Sequence, residues 1–449
     1  MQIDKLEIEN FKLFAEQEFQ FHSSFNLLIG ENGSGKTSLL RAVAVALGGW
    51  AHAYIKDKNN LRPILNEEIR EIEIDKRFDK TKQTSIKAVG TALIVDNYDC
   101  LMKVNAGWTR LRKEGFEDTF IYGDIKYSHN PTQYNFNFDK LSLNILNYIE
   151  TGKSFSLPLI AFYECDRLWL PKNELNLESS AKAKYSRFDP YVDCFHTGAD
   201  HQAVGEWLLK HELASIQQQK ETPILQSIRN AAKAALEGCT GLKFDFEQGR
   251  VMIEFEDGHT TPFEHLSDGQ RTMLGLFCDL ARRAAILNPH LEGDASAKTS
   301  GVVLIDELDL HLHPKWQRRI IEDLSRTFPK IQFICTTHSP FLIQSLRKGK
   351  LIQLDGDTNI EYHDLSIEDI VENVQGVELP QKSKRYLDMM AAAEAYYKKL
   401  HQCEDESDAE LMQLRATLEE LSIPFSDDPA FVAQLKFERD TMLAEKDKK

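Results

Sequence analysis

Four short apolar runs frame the chain: Phe25-Asn26-Leu27-Leu28-Ile29, residues 157–163, Gly301-Val302-Val303-Leu304-Ile305, and residues 331–337. Each is nearly continuous in apolar residues, the pattern of a strand buried on both faces. Leu6-Glu7-Ile8-Glu9 instead alternates apolar with acidic residues, which predicts a half-exposed strand, and a second follows near Phe19-Gln20-Phe21. Helical spacing takes over at residues 37–44, 206–209 and 224–229, from Arg271 to about Leu287, and again beyond Pro380. Residues 243–246 and 251–255 flank Gln248-Gly249 as a hairpin, with a second turn at Asp257-Gly258. Residues 351–354 and 360–363 flank Asp355-Gly356-Asp357, which also predicts a hairpin turn. Residues 48 to about 160 are weakly patterned, with strand-like runs at 72–74 and 92–96.

Composition narrows the setting. The 449 residues allow two or three domains, and 42% hydrophobic content with a mean hydropathy of −0.41 suits a soluble chain with a sizeable core. The net charge of −16, from 54 basic and 70 acidic residues, would repel DNA at long range. Seven cysteines without a C-x-x-C pair favour reduced thiols in a cytoplasm. The sequence has neither an apolar leader core nor a run of 18 apolar residues, so neither secretion nor a membrane span is expected.

The ends of the apolar runs change the picture most. After Ile29 comes Gly30-Glu31-Asn32-Gly33-Ser34-Gly35-Lys36-Thr37, a full G-x-x-x-x-G-K-[ST] between a strand and a helix. Gly30, Asn32, Gly33, Ser34, Gly35, Lys36, Thr37 and Ser38 form the expected phosphate cradle, closed by the positive end of the helix. Lys36 would reach the β- and γ-phosphates of ATP, and the Thr37 hydroxyl would hold Mg²⁺. The run ending at Ile305 leads into Asp306 and Glu307: the first would join Thr37 at Mg²⁺, the second would orient or deprotonate the attacking water. The run from Ile331 leads into His338, which taken alone is an ordinary strand-end histidine.

Leu266-Ser267-Asp268-Gly269-Gln270, before the helix from Arg271, resembles the Leu-Ser-Gly-Gly-Gln signature of ATP-binding-cassette ATPases. The resemblance implies that Ser267, Gly269 and Gln270 bind the γ-phosphate of ATP held by a second subunit. It implies that His338 is the switch histidine and that the working unit is at least a dimer. Asn10-Phe11-Lys12 and the long spacing from Lys36 to Ser267 are similar to the RecF and SMC branch. The insertion lacks sustained heptads and C-x-x-C, so neither a long coiled-coil arm nor a zinc hook is expected. Residues 308–317, Leu-Asp-Leu-His-Leu-His-Pro-Lys-Trp-Gln, are similar to the loop of OLD-type phage-defence ATPases. Residues 162–169 stand where those proteins carry a Tyr-Tyr-Gly-x-x-Arg-Leu-Trp-like element, but no glutamine can be named as the metal sensor there. Across nearly the whole length, including residues 425–436, the chain resembles the ATPase subunit of Septu defence systems, which also accompanies some retrons.

The expected fold is therefore α/β: an ABC-type P-loop ATPase head with a mixed sheet lobe, a largely helical second lobe and a C-terminal helical extension. The lobes are read as residues 1–165 and 300–380 for the nucleotide side, 166–299 for the helical side, and 381–449 for the extension. The resemblance implies ATP hydrolysis, or ATP-gated closure with slow turnover, that controls a separately encoded nuclease of HNH type. Nucleic acid would be reached through the complex, with no membrane partner. The alternative is a RecF-like repair ATPase that grips DNA itself; a transporter cassette is a distant third.

Tyr386, Met390, Ala393, Tyr397 and Leu400 share one helical face, Leu411, Leu414, Leu418 and Leu421 another, and Asp428-Pro429 opens a third helix. These helices either pack locally or dock a partner, and the acidic link at residues 404–406 suits a basic one. Two tempting sites fail. Asp355-Gly356-Asp357 is similar to the Asp-x-Asp of a TOPRIM nuclease but reads as a turn, and too little chain follows His338 for that domain. Cys194, His196 and His201 lack the second ligand pair that a zinc site needs.

Overall fold

The computed structural model describes residues 1–51, 54, 62–96, 100–116, 118–127, 130–136, 138–165, 186–195, 201–355, 362, 365–377, 379–402 and 409–425. The chain divides into two compact units, Met1–Ile367 and Glu368–Lys449.

In chain order the first unit runs β1 (Gln2–Phe11), β2 (Phe14–Gln20), β3 (Phe25–Ile29) and helix α1 (Lys36–Ala51). A small ribbon, β4 (Glu71–Ile74) and β5 (Arg77–Lys80), precedes β6 (Gln83–Val95), β7 (Leu101–Lys113), β8 (Phe120–Tyr127), β9 (Asn130–Phe136) and α2 (Phe138–Glu150). Then come β10 (Leu159–Tyr163), α3 (His201–Gln218), α4 (Pro223–Ala235), β11 (Cys239–Asp245), β12 (Arg250–Phe255), β13 (Thr260–Pro262) and α5 (Asp268–Leu287). β14 (Gly301–Ile305), α6 (Ile320–Thr327), β15 (Ile331–Thr336) and β16 (Lys350–Gln353) complete it.

Five of these strands make one wholly parallel sheet in the order β10-β14-β15-β3-β16. Every residue of β3, β10, β14 and β15 is buried, which is why their sequences run apolar without alternation. Because the strands point the same way, their carboxyl ends line one rim, where ligands bind in open α/β sheets. Gly30, Glu164, Asp306 and the Thr337-His338 pair follow β3, β10, β14 and β15 along it, and Asp355 lies two residues past β16.

A second sheet, β2-β1-β6-β7-β8-β9, is antiparallel and occupies much of the weakly patterned stretch. Its inward positions on β6 are Thr84, Ile86, Ala88, Ala92 and Ile94, all buried. Small and polar inward residues blur the hydrophobic alternation, so only 92–96 stands out in the sequence. On β7 the inward set includes Trp108, whose indole donates to the Ala46 carbonyl of α1 at 2.8 Å and so ties this sheet to the phosphate-loop helix. The hairpin of β11 and β12 pairs Asp245 with Arg250 across the predicted turn, and β13 adds a third strand. Helices α3 and α4 pack against β11, and α5 packs against both helices.

The second unit holds the hairpin of α7 (Lys384–Gln402) and α8 (Ala409–Ser422). Its core is Ala393, Tyr396, Tyr397, Leu400 and Leu411, with Leu414 and Leu418 packed against it. The predicted stripe holds at Ala393, Tyr397 and Leu400, all buried, but one turn earlier Met389 is buried in place of Met390, which is 42% exposed. The acidic link at 404–406, the helix expected from Asp428 and the motif at 426–436 lie outside the described residues.

Candidate nucleotide site

Three parallel strands bring the phosphate loop, the paired acids and the histidine segment to one rim. Lys36, first residue of α1, is largely buried, and its Nζ donates to the carbonyl oxygens of Gly30 at 2.7 Å and Glu31 at 2.8 Å. Burial lowers its pKa, and the negative charges of Asp355, Asp306 and Glu307 partly offset this. Asn32 and Gly33 form the exposed crest of the loop, and Ser38 lies in the first turn of the helix. The Ser34 hydroxyl oxygen is buried without a hydrogen-bond partner. Such an orphan costs free energy unless something with acceptor oxygens completes it.

Thr37 Oγ1 donates to Asp306 at 2.9 Å, and Thr336 Oγ1, from the end of β15, donates to the same carboxylate at 2.6 Å. Asp306 is only 4% exposed, and its own backbone N–H donates to the Tyr163 carbonyl at 2.8 Å. Two hydroxyls on one buried carboxylate form a small oxygen cluster suited to a hard divalent ion such as Mg²⁺. Glu307 follows with a left-handed backbone (φ 51), and its N–H donates to Thr336 Oγ1 at 2.7 Å. This geometry turns its side chain out of the strand and leaves it exposed at the rim. His338 is exposed two residues beyond β15. Its neighbours are braced: Thr337 Oγ1 donates to Asp309 at 2.6 Å and Ser339 Oγ to Gln317 at 2.7 Å. The loop after the acids is thereby tied to the histidine segment.

Helix α5 starts at Asp268, three residues before the amphipathic pattern suggests, because Ser267 caps it. Gln270 closes the capping box, its side-chain oxygen accepting from the Ser267 N–H at 3.1 Å. Gly269 has no room for a side chain: a Cβ there would lie 2.6 Å from the His311 carbonyl oxygen and 2.8 Å from the Trp316 ring. An open cavity of about 770 Å³ lies over this turn, lined by Ser267, Gly269, Gln270, His311, Lys315 and Trp316 among others. Among the described residues no hydrogen bond or ion pair joins this turn to the phosphate loop of the same chain, so Ser267, Gly269 and Gln270 stand apart from the Lys36–Asp306 cluster.

Two residues at the rim escaped the sequence reading. Glu164, at the carboxyl end of β10, pairs with Arg41 of α1 at 3.5 Å and stands where no glutamine could be named. Asp355, read as a turn residue, has its carboxylate on the Glu31 N–H of the phosphate loop. The signal for both was present: each acid follows an apolar run, as Asp306 does. The return arm of that turn, apart from Tyr362, and residues 166–169 lie outside the described residues, as does His196 of the dismissed zinc trio; Cys194 is a buried thiol whose pKa is raised by burial.

Behind the rim lies a buried ionic cluster. The Tyr163 hydroxyl donates to Asp279 of α5 at 2.7 Å, and Asp279 also accepts from Arg282 at 2.6 Å and Arg283 at 2.8 Å. Burial pushes the Asp279 carboxyl up, but the Arg283 and Arg282 guanidinium groups more than reverse this and hold it at about 2.

The AAA-domain family profile matches residues 5–239, and a second, described as "AAA domain, putative AbiEii toxin, Type IV TA system", matches residues 195–344. The chain is 25% identical over 390 residues to "Retron Vc95 probable ATPase" of Vibrio cholerae, covering 77% of this chain and 73% of that protein. It is 28% identical over 367 residues to "Septu protein PtuA" of Bacillus mycoides, covering 78% of this chain and 40% of that one. Among solved structures, an SMC head bound to the C-winged helix domain of ScpA aligns with TM-score 0.44 and 15% identity, over 79% of this chain and 94% of that one.

Proposed function

The chain belongs to the AAA-domain family, and from that premise we propose that it is an ATP-hydrolysing regulatory subunit of an anti-phage defence complex. The observation that carries the reading is the Thr37–Asp306–Thr336 cluster beside Lys36. In this reading the phosphates lie against the loop from Gly30 to Ser38. Lys36 meets the β- and γ-phosphates, and Ser34 gains the acceptor it lacks. Thr37 and Asp306 hold Mg²⁺, which supplies charge neutralisation on the phosphate oxygens. Glu307, turned into the rim, orients and deprotonates water. His338, held by the braces on Thr337 and Ser339, contacts the γ-phosphate.

The separate location of Ser267, Gly269 and Gln270 supports their acting on ATP bound by a second copy, so that closure of a dimer follows nucleotide. The retron and Septu relatives support a defence role, with the closed dimer holding or releasing a separately encoded HNH-type nuclease. A net charge of −16 favours nucleic-acid contact through such a partner over direct grip by this chain. Among the described residues no helix is long and apolar enough to cross a membrane. The test is coexpression with the neighbouring candidate nuclease, followed by light scattering with and without ATP. A stable complex whose mass changes with ATP is expected. A chain that remains monomeric and alone under both conditions would overturn the reading.

A further inference from the structure

The acid two residues past β16 is built into the phosphate loop. β16 runs parallel to β3, with Gln353 opposite Ile29, and the Leu354 N–H donates to the Ile29 carbonyl at 3.1 Å. That register sets Asp355 beside Gly30 and Glu31. The Asp355 carboxylate accepts the Glu31 N–H, while the Glu31 carbonyl accepts from Lys36 Nζ at 2.8 Å. Glu31 is therefore gripped from both sides, by an anion on its N–H and by the phosphate-site lysine on its C=O. Gly30 has to be glycine for the same reason. A Cβ there would lie 3.0 Å and 3.1 Å from the two Asp355 oxygens and 2.6 Å from Ser34 Oγ, on a backbone with φ +149.

We propose that Asp355 is a positioning residue with two opposed effects: its acceptor oxygens fix the mouth of the phosphate loop, and its charge weakens triphosphate binding. The first effect follows from the hydrogen bond to Glu31. The second follows from Coulomb's law, since the carboxylate attracts Lys36 and repels the polyanion that Lys36 is to bind. Among the carboxylates acting on Lys36, Asp355 acts most strongly, ahead of Asp306 and Glu307. Mg²⁺ at Thr37 would offset the charge of Asp306, whereas Asp355 follows β16, on the opposite side of β3 from β14 and Asp306. The device therefore holds the loop ready while keeping nucleotide exchangeable.

This inference rests on the reading of Gly30 to Thr37 as the ATP site, and two variants separate its parts. Asp355→Asn keeps an acceptor oxygen for Glu31 and removes the charge; Asp355→Ala removes both. Asp355 is exposed, so neither change disturbs the core. ATP and Mg²⁺ are titrated into the full chain by calorimetry, at about 50 mM and about 300 mM salt, with Lys36→Ala alongside. Asp355→Asn is expected to bind ATP about fivefold more tightly at low salt, with the gain shrinking at high salt. Asp355→Ala is expected to bind about fivefold more weakly than Asp355→Asn at both salts, the effect of one lost hydrogen bond. If Asp355→Asn binds no better than the natural chain while Lys36→Ala loses ATP, the inference is overturned and the site stands. If Lys36→Ala keeps its affinity, the site reading itself fails.

Discussion

Replacing Asp279 by asparagine removes the charge at the centre of the buried cluster while keeping the side chain's shape. Asp279 and Arg283 are both fully buried, and the Arg282 guanidinium is nearly so. Removing one partner of such a pair strands a buried cation, which typically costs 3–5 kcal/mol. Arg283 retains Asp193 at 3.1 Å and the Pro190 carbonyl at 2.8 Å, so the lower end applies, about 3 kcal/mol. A unit as large as Met1–Ile367 shifts its midpoint by about 2 °C per kcal/mol. Asp279→Asn should therefore melt about 6 °C below the natural chain in a thermal scan. Tyr163→Phe, which deletes a single neutral donor, should lose about 2 °C. The pH dependence has a definite sign. The native carboxyl sits at about 2, below its ordinary 3.8, so the unfolded chain binds the extra proton. The contribution, about 2 kcal/mol, is complete above pH ~4 and is lost as pH falls toward 2. In Asp279→Asn that part of the acid transition should disappear. A midpoint within 1 °C of the natural chain, roughly the size of a neutral surface change, would refute the argument.

Two further outcomes follow from the same geometry. Ser267→Arg should leave ATP binding by each subunit intact but block ATP-dependent closure, because a cation at the start of α5 fills the cavity over the turn and opposes the helix dipole; a mass increase with ATP that survives the change, seen by light scattering, argues against a shared site. Deleting residues 381–449 should spare ATP binding and remove higher assembly or partner docking, since the phosphate-site residues Gly30 to Ser38, Asp306, Glu307 and His338 all precede the deletion; a full-sized complex from the shortened chain would assign α7 and α8 to local packing.

The candidate phosphate loop and acid pair were legible because they are local in sequence. A loop of eight residues carries its own pattern, and two acids after an apolar strand need only the strand to be placed. The antiparallel sheet was hard to read because Thr84, Ala88 and Ala92 face inward, and small or polar inward residues carry little hydrophobic signal. Asp279, Arg282 and Arg283 were invisible for the opposite reason. Charges spaced three and four apart on a helix read as a solvated face, yet here they are buried against Tyr163. The role of Asp355 was hidden because Asp-Gly is a turn signal whatever its neighbours, and only the parallel pairing of β16 with β3 shows that Asp355 stands beside the phosphate loop.

Phosphate release by the purified chain in ATP and Mg²⁺, compared among the natural protein, Lys36→Ala and Glu307→Gln, tests the nucleotide site most directly. The natural chain should release phosphate. Lys36→Ala should neither bind nor hydrolyse ATP, and Glu307→Gln should bind ATP normally while turning over roughly a hundredfold or more slower. Turnover by Glu307→Gln at the natural rate, or undiminished ATP binding by Lys36→Ala, would contradict it.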